Sequence, residues 1–122
     1  MSTRILVVDD SATIRDQVRR ALTPAGFEVT DARDGVEGLA RIEEEPETAL
    51  VLCDVHMPRM DGLEMIERLK AAGNARPVLM LTTEGHPDLI RRAKASGARG
   101  WIIKPFDPAL LVRAVQTLAV QR

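Results

Sequence analysis

The segment ILVVDDS at residues 5–11 carries the strongest signal of how this chain folds. Its four consecutive apolar residues, 5–8, are typical of a strand buried on both faces, as strands of parallel sheets are. Two aspartates follow at once, and Ser11 is a favourable N-cap for a helix. The stretch therefore predicts a buried strand that leads through an acidic turn into a helix.

The helix expected after Ser11 is amphipathic. Apolar residues recur in it at helical spacing, namely Ile14, Val18, Ala21 and Leu22. This spacing predicts that Arg15 and Arg19 lie on the outer face, directed towards solvent. Pro24 and Gly26 indicate where the helix ends.

Short apolar runs and longer amphipathic stretches continue to alternate along the chain. Further strands are predicted at residues 27–30, 49–53, 78–81 and 101–103. Further helices are predicted at residues 36–44, from 62 to just before Gly73, at 87–95, and from Pro108 to near residue 121. Strict alternation implies a parallel sheet with helices on both faces, and right-handed crossovers leave only a few doubly wound topologies.

Length and composition exclude several classes of protein. The chain has 122 residues, 45% hydrophobic and 29% charged, which is typical of one globular domain. A net charge of −1 and an aromatic content of 2% argue against a surface that binds nucleic acid. The single cysteine excludes an internal disulfide framework, and no apolar run approaches the about 20 residues of a membrane helix. We therefore expect a cytoplasmic protein that contacts neither nucleic acid nor membrane.

The long strands all end at residues capable of chemistry. The first strand is followed by two acids and the later ones by an acid, a hydroxyl and an amine: Asp9, Asp10, Asp54, Thr82 and Lys104. In a parallel sheet the carboxyl ends share one edge, and ligands of open α/β sheets bind outside that edge. We expect these side chains to converge there although they are far apart in sequence.

This set of side chains fits phosphoryl chemistry assisted by a hard cation. Neighbouring carboxylates repel one another and favour a bound cation, and oxygen ligands suit Mg²⁺ better than Zn²⁺. Asp54 is the natural nucleophile, because a carboxylate can carry a covalent phosphoryl group. Lys104 supplies a compact positive charge for that group, and Thr82 can donate a hydrogen bond to one of its oxygens.

Four stretches of the sequence resemble the CheY-like receiver domain of two-component response regulators. They are ILVVDDS at 5–11, DVHMPRMDG at 54–62, LT at 81–82 and KPF at 104–106. The resemblance covers nearly the whole chain and implies one receiver domain over residues 1–122. It also implies a flavodoxin-like (βα)5 fold with the sheet order 2-1-3-4-5 that CheY shows.

The resemblance implies a role for each candidate residue. Asp54 would accept the phosphoryl group from a phosphohistidine of a partner histidine kinase. Mg²⁺ would be held by Asp9, Asp10, Asp54 and the backbone carbonyl of His56. Thr82 and Lys104 would contact the phosphoryl group, and Thr82 and Trp101 would form the switch. The chain would catalyse only its own phosphotransfer and dephosphorylation, and would not be an enzyme acting on other substrates.

Three residues near the site are expected to modify its behaviour. His56 faces solvent beside Asp54 and, like Glu84 at the same edge, is a candidate for tuning hydrolysis of the phosphoryl group. Trp101 stands where the family more often has tyrosine or phenylalanine, and its larger ring would hinder inward rotation.

The resemblance also implies an output surface on the fourth helix, the fifth strand and the fifth helix. This surface is locally basic and would include Arg91, Arg92, Lys94, Ala98, Arg99, Trp101 and Arg113. The DSATIR stretch at residues 10–15 is similar to single-domain regulators of chemotaxis. We therefore expect a stand-alone regulator whose downstream partner is another protein, with a flagellar motor switch as the candidate.

Other functions remain open on the sequence alone. A phosphorelay intermediate or a phosphate sink would use the same chemistry. A phosphatase with an aspartyl-phosphate intermediate usually shows Asp-x-Asp-x-Thr after the first strand, whereas residues 9–13 read DDSAT. A flavodoxin-like flavin-binding protein would need a phosphate-cradling loop rich in Ser, Thr and Gly at the same place, and DDSAT does not resemble one.

Overall fold

Strands and helices alternate along residues 3–119, the part of the chain that the computed structural model describes. The strands are β1 (Thr3–Val8), β2 (Phe27–Ala32), β3 (Thr48–Cys53), β4 (Val78–Thr82) and β5 (Ala98–Ile103). The helices are α1 (Ala12–Leu22), α2 (Gly35–Glu44), α3 (Gly62–Ala71), α4 (Pro87–Ala95) and α5 (Pro108–Ala119), with a 3₁₀ turn at Thr23–Ala25. Residues 1–2 and 120–122 of the predicted domain, and with them the expected end of α5 near residue 121, lie outside the described residues.

The strands form one parallel sheet in the order β2-β1-β3-β4-β5. This is the order implied by the resemblance, and it places β1 and β3 side by side near the centre. Their carboxyl ends therefore meet at one edge of the sheet, with the end of β4 next to that of β3. No helix within residues 3–119 has both the length and the apolar character needed to cross a membrane.

The core consists of two apolar layers, one on each face of the sheet. Ile5 and Val7 pack with buried side chains of α1 and α5, whereas Leu6 and Val8 pack with those of α2, α3 and α4. All four side chains are buried. The prediction that the first apolar run is buried on both faces is confirmed, and this burial holds the end of β1 in a fixed position.

Side chains cap the helices that begin at the edge of the sheet where the carboxyl ends of the strands meet. Ser11 Oγ accepts a hydrogen bond from the Ile14 N–H at 3.3 Å, as predicted for the start of α1. Asp61 Oδ1 accepts one from the Glu64 N–H at 2.8 Å at the start of α3. Each cap satisfies an N–H group that has no partner within its helix.

Three sequence-based expectations differ from the structure. Strand β2 extends to Ala32 rather than ending at residue 30. Strand β5 begins at Ala98 rather than at Trp101, because the main chain already pairs with Val78 of β4 there and an edge strand does not need an apolar run. Arg15 was expected to face solvent, but its side chain is only 14% exposed. It bends back towards the ends of β1 and β2, where oxygen acceptors are available.

Candidate functional site

An ammonium group and two carboxylates meet at the carboxyl edge of the sheet. Lys104 Nζ lies 2.7 Å from Asp9 Oδ2 and 3.1 Å from Asp54 Oδ2. Lys104 follows β5, and Asp9 and Asp54 follow the two central strands. Asp9 and Asp54 are buried, and the Lys104 side chain is 9% exposed. The single cation therefore offsets one of the two negative charges, in a place with little access to water.

The environment of Asp9 explains how its charge is accommodated. Its Oδ1 accepts a hydrogen bond from the Ser11 N–H at 2.9 Å, while Oδ2 accepts one from Lys104. Burial raises the pKa of Asp9 above its ordinary value, and the bonds from Lys104 and Ser11 oppose that rise. Burial alone would lower the pKa of Lys104, but the hydrogen bond and charge of Asp9, with the charge of Asp54, raise it instead. Lys104 thus stays protonated at neutral pH.

The backbone around Asp54 is tightly held. Its N–H donates to the Val8 carbonyl at 3.0 Å, and its Oδ1 accepts from the Val55 N–H at 2.7 Å. Gly62, the first residue of α3, packs directly against it: a Cβ atom at Gly62 would lie 1.9 Å from the Asp54 carbonyl oxygen. A residue without a side chain is therefore required at position 62 for the helix to approach this closely.

The acidic side chains fit a divalent cation. Asp9, Asp10 and Asp54 each offer a carboxylate oxygen, and these oxygens lie within 4.8 Å of one another. Asp10 is exposed, whereas the other two are buried. A set made only of oxygen donors favours a hard ion such as Mg²⁺, which keeps several waters and needs few protein ligands. His56, the remaining candidate ligand through its carbonyl, lies two residues after Asp54 with its side chain exposed.

Thr82 is buried at the end of β4, next to β5. Its carbonyl accepts a hydrogen bond from the Lys104 N–H at 2.8 Å, so the ends of β4 and β5 are joined beside the site. Its Oγ1 accepts a longer bond, 3.4 Å, from the Glu84 N–H. The Lys104–Pro105 peptide bond that follows is cis.

Glu84 connects three groups that the sequence alone did not join. Besides its contact with Thr82, its carbonyl accepts a 2.8 Å hydrogen bond from Trp101 Nε1, and its Oε1 lies 2.6 Å from His56 Nε2. The sequence placed Glu84 near the site, but no spacing in the sequence reveals these contacts. Trp101 is half-buried and packs against the core layer on the α4 side of the sheet.

Comparison with known proteins identifies the family to which this arrangement belongs. Residues 5–116 match the family described as response regulator receiver domain. Chemotaxis protein CheY1 of Helicobacter pylori is 32% identical over 118 residues, which are 94% of this chain and 95% of that protein. Response regulator MprA of Mycobacterium bovis is 43% identical over 118 residues, which are 97% of this chain and 51% of that protein, so the chain spans about half of its length.

Solved structures agree with the fold described above. Chemotaxis protein CheY4 of Vibrio cholerae superposes with a TM-score of 0.90 at 38% identity, covering 97% of this chain and 99% of that one. A chain of the CheX-CheY-BeF3-Mg²⁺ complex from Borrelia burgdorferi superposes with a TM-score of 0.91 at 29% identity, covering 98% and 90%. The predicted flavodoxin-like fold and the CheY-like resemblance are confirmed.

Proposed function

The chain belongs to the response regulator receiver domain family, and we propose that it is a signalling protein switched by phosphorylation of Asp54. The observation that carries the proposal is the 3.1 Å contact between Asp54 Oδ2 and Lys104 Nζ, beside the carboxylates of Asp9 and Asp10. A carboxylate placed next to a fixed cation and a cluster of oxygen donors suits transfer of a phosphoryl group.

In the proposed reaction the phosphoryl group moves from a phosphohistidine of a partner histidine kinase to a carboxylate oxygen of Asp54. The phosphorus–nitrogen bond of the donor breaks as the phosphorus–oxygen bond of the acyl phosphate forms. The Val55 N–H holds Asp54 Oδ1 in place, and Lys104 neutralises charge on the oxygens of the transferred group. Thr82 donates a hydrogen bond to one of these oxygens.

Mg²⁺ is the cofactor that the carboxylates of Asp9, Asp10 and Asp54 fit, and it would be held by these three residues and the carbonyl of His56. When bound, it would supply positive charge to the oxygens of the transferred group. The CheX-CheY-BeF3-Mg²⁺ complex from Borrelia burgdorferi supports this assignment, because a chain of that complex shares the fold at 29% identity. The chain catalyses its own phosphotransfer and dephosphorylation only.

The switch in this proposal consists of Thr82 and Trp101, and Glu84 connects them. Turning the Thr82 hydroxyl towards a phosphoryl oxygen withdraws it from the Glu84 N–H. The carbonyl of Glu84 holds the Trp101 indole, so the same movement changes the surroundings of Trp101. A ligand shifts a conformational equilibrium only through contacts that differ between the two states, and this hydrogen bond supplies such a difference.

The output surface in this proposal is the basic face formed by α4, β5 and α5. Arg91 pairs there with Asp88, and Arg92 pairs with Glu67 at 3.3 Å. Within the described part of the chain, Lys94 forms no ion pair and is exposed. A partner with an acidic surface is favoured. Because two relatives are chemotaxis proteins, we take chemotaxis in the cytoplasm as the pathway and a flagellar motor switch as the partner.

Phosphorylation is tested with acetyl phosphate and Mg²⁺, followed by mass spectrometry of the intact protein under mild conditions. The parent chain is expected to gain one labile phosphoryl group, and Asp54→Asn is expected to gain none. Asp61→Asn is the matched control, because Asn preserves the cap of α3 and leaves the site intact. Labelling of Asp54→Asn equal to that of the parent would place the acceptor elsewhere.

The partner is tested separately by binding of a purified flagellar motor switch protein to the phosphorylated and the unphosphorylated chain. Tighter binding of the phosphorylated chain, weakened by Lys94→Glu, is expected. Equal binding of both forms would reject this partner. In a parallel assay, a histidine phosphotransfer protein is added to the phosphorylated chain. Transfer of the phosphoryl group to its histidine would instead indicate a phosphorelay intermediate.

A further inference from the structure

We propose that Arg15 is a positioning residue for the metal site, because it holds the carbonyl of Asp9 and so orients the peptide unit that leads into Asp10. The inference rests on the proposed Mg²⁺ site. It concerns a side chain that the amphipathic pattern placed towards solvent and that has no part in the phosphoryl transfer described above.

The guanidinium of Arg15 makes two contacts at the edge of the sheet. Its Nη1 donates a 2.7 Å hydrogen bond to the Asp9 carbonyl, and its Nε donates a 3.1 Å bond to Asp31 Oδ2. Asp31 belongs to β2 and pairs in register with Val7 of β1. Arg15 therefore links the end of β1 to β2. It does so from α1, the helix that connects these two strands in the sequence.

The carbonyl oxygen of Asp9 and the N–H of Asp10 belong to one planar peptide unit. A hydrogen bond that fixes this oxygen limits rotation of the peptide plane. The direction in which the Asp10 side chain leaves the backbone is limited as a consequence. Asp9 has other supports, since its N–H donates to the Ala32 carbonyl at 3.0 Å and its carboxylate contacts Ser11 and Lys104.

Asp10 lacks such supports. It is exposed, and among residues 3–119 no side chain or backbone group forms a hydrogen bond or ion pair with its carboxylate. Its direction therefore depends on its own backbone, which is the part that Arg15 holds. The metal ligand with the least support of its own is the one that Arg15 positions.

The chemistry of arginine suits this task. A guanidinium presents several donors in one rigid plane, so a single side chain contacts a carbonyl and a carboxylate together. A lysine has a single ammonium group and would hold the Asp9 carbonyl without the second anchor at Asp31. Residues that orient metal ligands in this way typically change metal affinity about 10–100-fold when they are replaced.

Arg19 provides a matched control one turn further along α1. Its Nη2 lies 3.6 Å from the same Asp31 oxygen, and its side chain is 42% exposed. Within the described residues it makes no hydrogen bond to Asp9. Replacing Arg19 removes a positive charge near Asp31 from the same helix but leaves the Asp9 carbonyl held.

The experiment measures the Mg²⁺ affinity of the intact chain by calorimetric titration. Arg15→Gln is expected to weaken Mg²⁺ binding about tenfold, Arg15→Lys less than that, and Arg19→Gln less than about twofold. Thermal unfolding in EDTA, recorded for each variant, establishes that it is folded. In the metal-free protein, the NMR amide resonance of Asp10 is expected to move in Arg15→Gln and to stay in place in Arg19→Gln.

Two kinds of failure are distinguishable. If Arg15→Gln lowers the unfolding temperature but binds Mg²⁺ as Arg19→Gln does, Arg15 is structural only and the inference is overturned; Arg15→Lys decides the matter if the glutamine variant does not fold. If the parent chain does not bind Mg²⁺, or if Asp10→Asn binds it equally well, the proposed metal site itself is wrong and the role of Arg15 is rejected with it.

Discussion

Trp101 Nε1 donates a 2.8 Å hydrogen bond to the carbonyl of Glu84, a residue of the segment between β4 and α4. The N–H of the same Glu84 contacts the Thr82 hydroxyl at 3.4 Å. One peptide segment thus joins a hydroxyl at the proposed site to the indole on β5. The length of the Thr82 contact makes it the weaker of the two bonds and the easier one to release.

Fluorescence of Trp101 is expected to report this connection, because it is the single tryptophan of the sequence. Mg²⁺ alone should change its emission weakly, since the metal does not engage Thr82. Phosphorylation should change it more, and Thr82→Val should reduce that larger change while the protein is still phosphorylated. Unchanged emission from a chain shown by mass spectrometry to be fully phosphorylated would make Trp101 a structural residue only.

Removal of Lys104 should destabilise the metal-free protein at neutral pH. Lys104→Gln leaves the buried carboxylates of Asp9 and Asp54 without a cation, at a cost of about 3 kcal/mol in the free energy of unfolding. Mg²⁺ should restore part of this loss, because it supplies a cation to the same oxygens. Urea unfolding with and without Mg²⁺ measures both effects, and Lys94→Gln on the surface of α4 is the control. Equal stability of the Lys104 and Lys94 variants would contradict the prediction.

The same variant should respond to pH in a defined direction. The pKa of Asp9 is raised in the folded parent, so its contribution to stability falls as pH rises from about 4 through the folded pKa. Without Lys104 the pKa of Asp9 in the folded protein is expected to rise further. The pH range over which stability falls then extends to higher pH. The stability difference between parent and Lys104→Gln should therefore be smaller in acid than at neutral pH. Unfolding measured across this range checks the sign.

Gly62→Ala should disturb the site more than any ordinary change from glycine to alanine. Its Cβ would lie 1.9 Å from the Asp54 carbonyl, which is backbone and cannot move aside easily. Overpacking of this kind costs about 1–3 kcal/mol. Gly38→Ala in α2 is the control, because its Cβ would meet side-chain atoms rather than backbone, namely Met65 Sδ at 2.8 Å and a methyl group of Val8 at 3.1 Å. A smaller loss of stability for Gly62→Ala than for Gly38→Ala would count against the prediction.

Asp34 should contribute to stability at neutral pH and lose that contribution in acid. The hydrogen bond from Arg59, at 2.8 Å, is the main cause of its lowered pKa. For a carboxyl with a lowered folded pKa, stability is present above the ordinary value of about 3.9 and is lost as pH falls through the folded pKa. Asp34 is the N-cap of α2, where its Oδ1 accepts a 2.9 Å hydrogen bond from the Glu37 N–H, and Asp34→Asn keeps this cap but removes the charge. The free energy of unfolding of Asp34→Asn should be lower than that of the parent at pH 7, and this difference should become smaller towards about pH 3. Unfolding measured across this range tests it, and a difference that is constant with pH would disprove the charge effect.

Much of the fold was predictable because it depends on local pattern. The apolar run of β1, the Ser11 cap and the strict alternation each carry a signal within a few residues, and together they imply the doubly wound sheet. The start of β5 was missed because Arg99 and Gly100 owe their strand conformation to pairing with β4. Such pairing is a property of the neighbouring strand and leaves no mark in the segment itself.

The site was predictable to a different extent. Parallel strand ends share an edge, so the meeting of Asp9, Asp54 and Lys104 followed from the topology once the strands were assigned. The inward turn of Arg15 and the contacts of Glu84 did not follow, because each depends on acceptors that folding brings within reach. The roles assigned to these residues in phosphoryl transfer and switching remain predictions for the experiments above.

Lys104 and Asp9 are separated by 95 positions, and the ammonium beside the two central acids belongs to the residue that follows β5, the fifth strand along residues 3–119. A nascent chain on the ribosome therefore carries both acidic strand ends before the lysine that pairs with them has been made. Under the proposed function, we therefore expect the acceptor site to become competent only after β5 and Lys104 have been made.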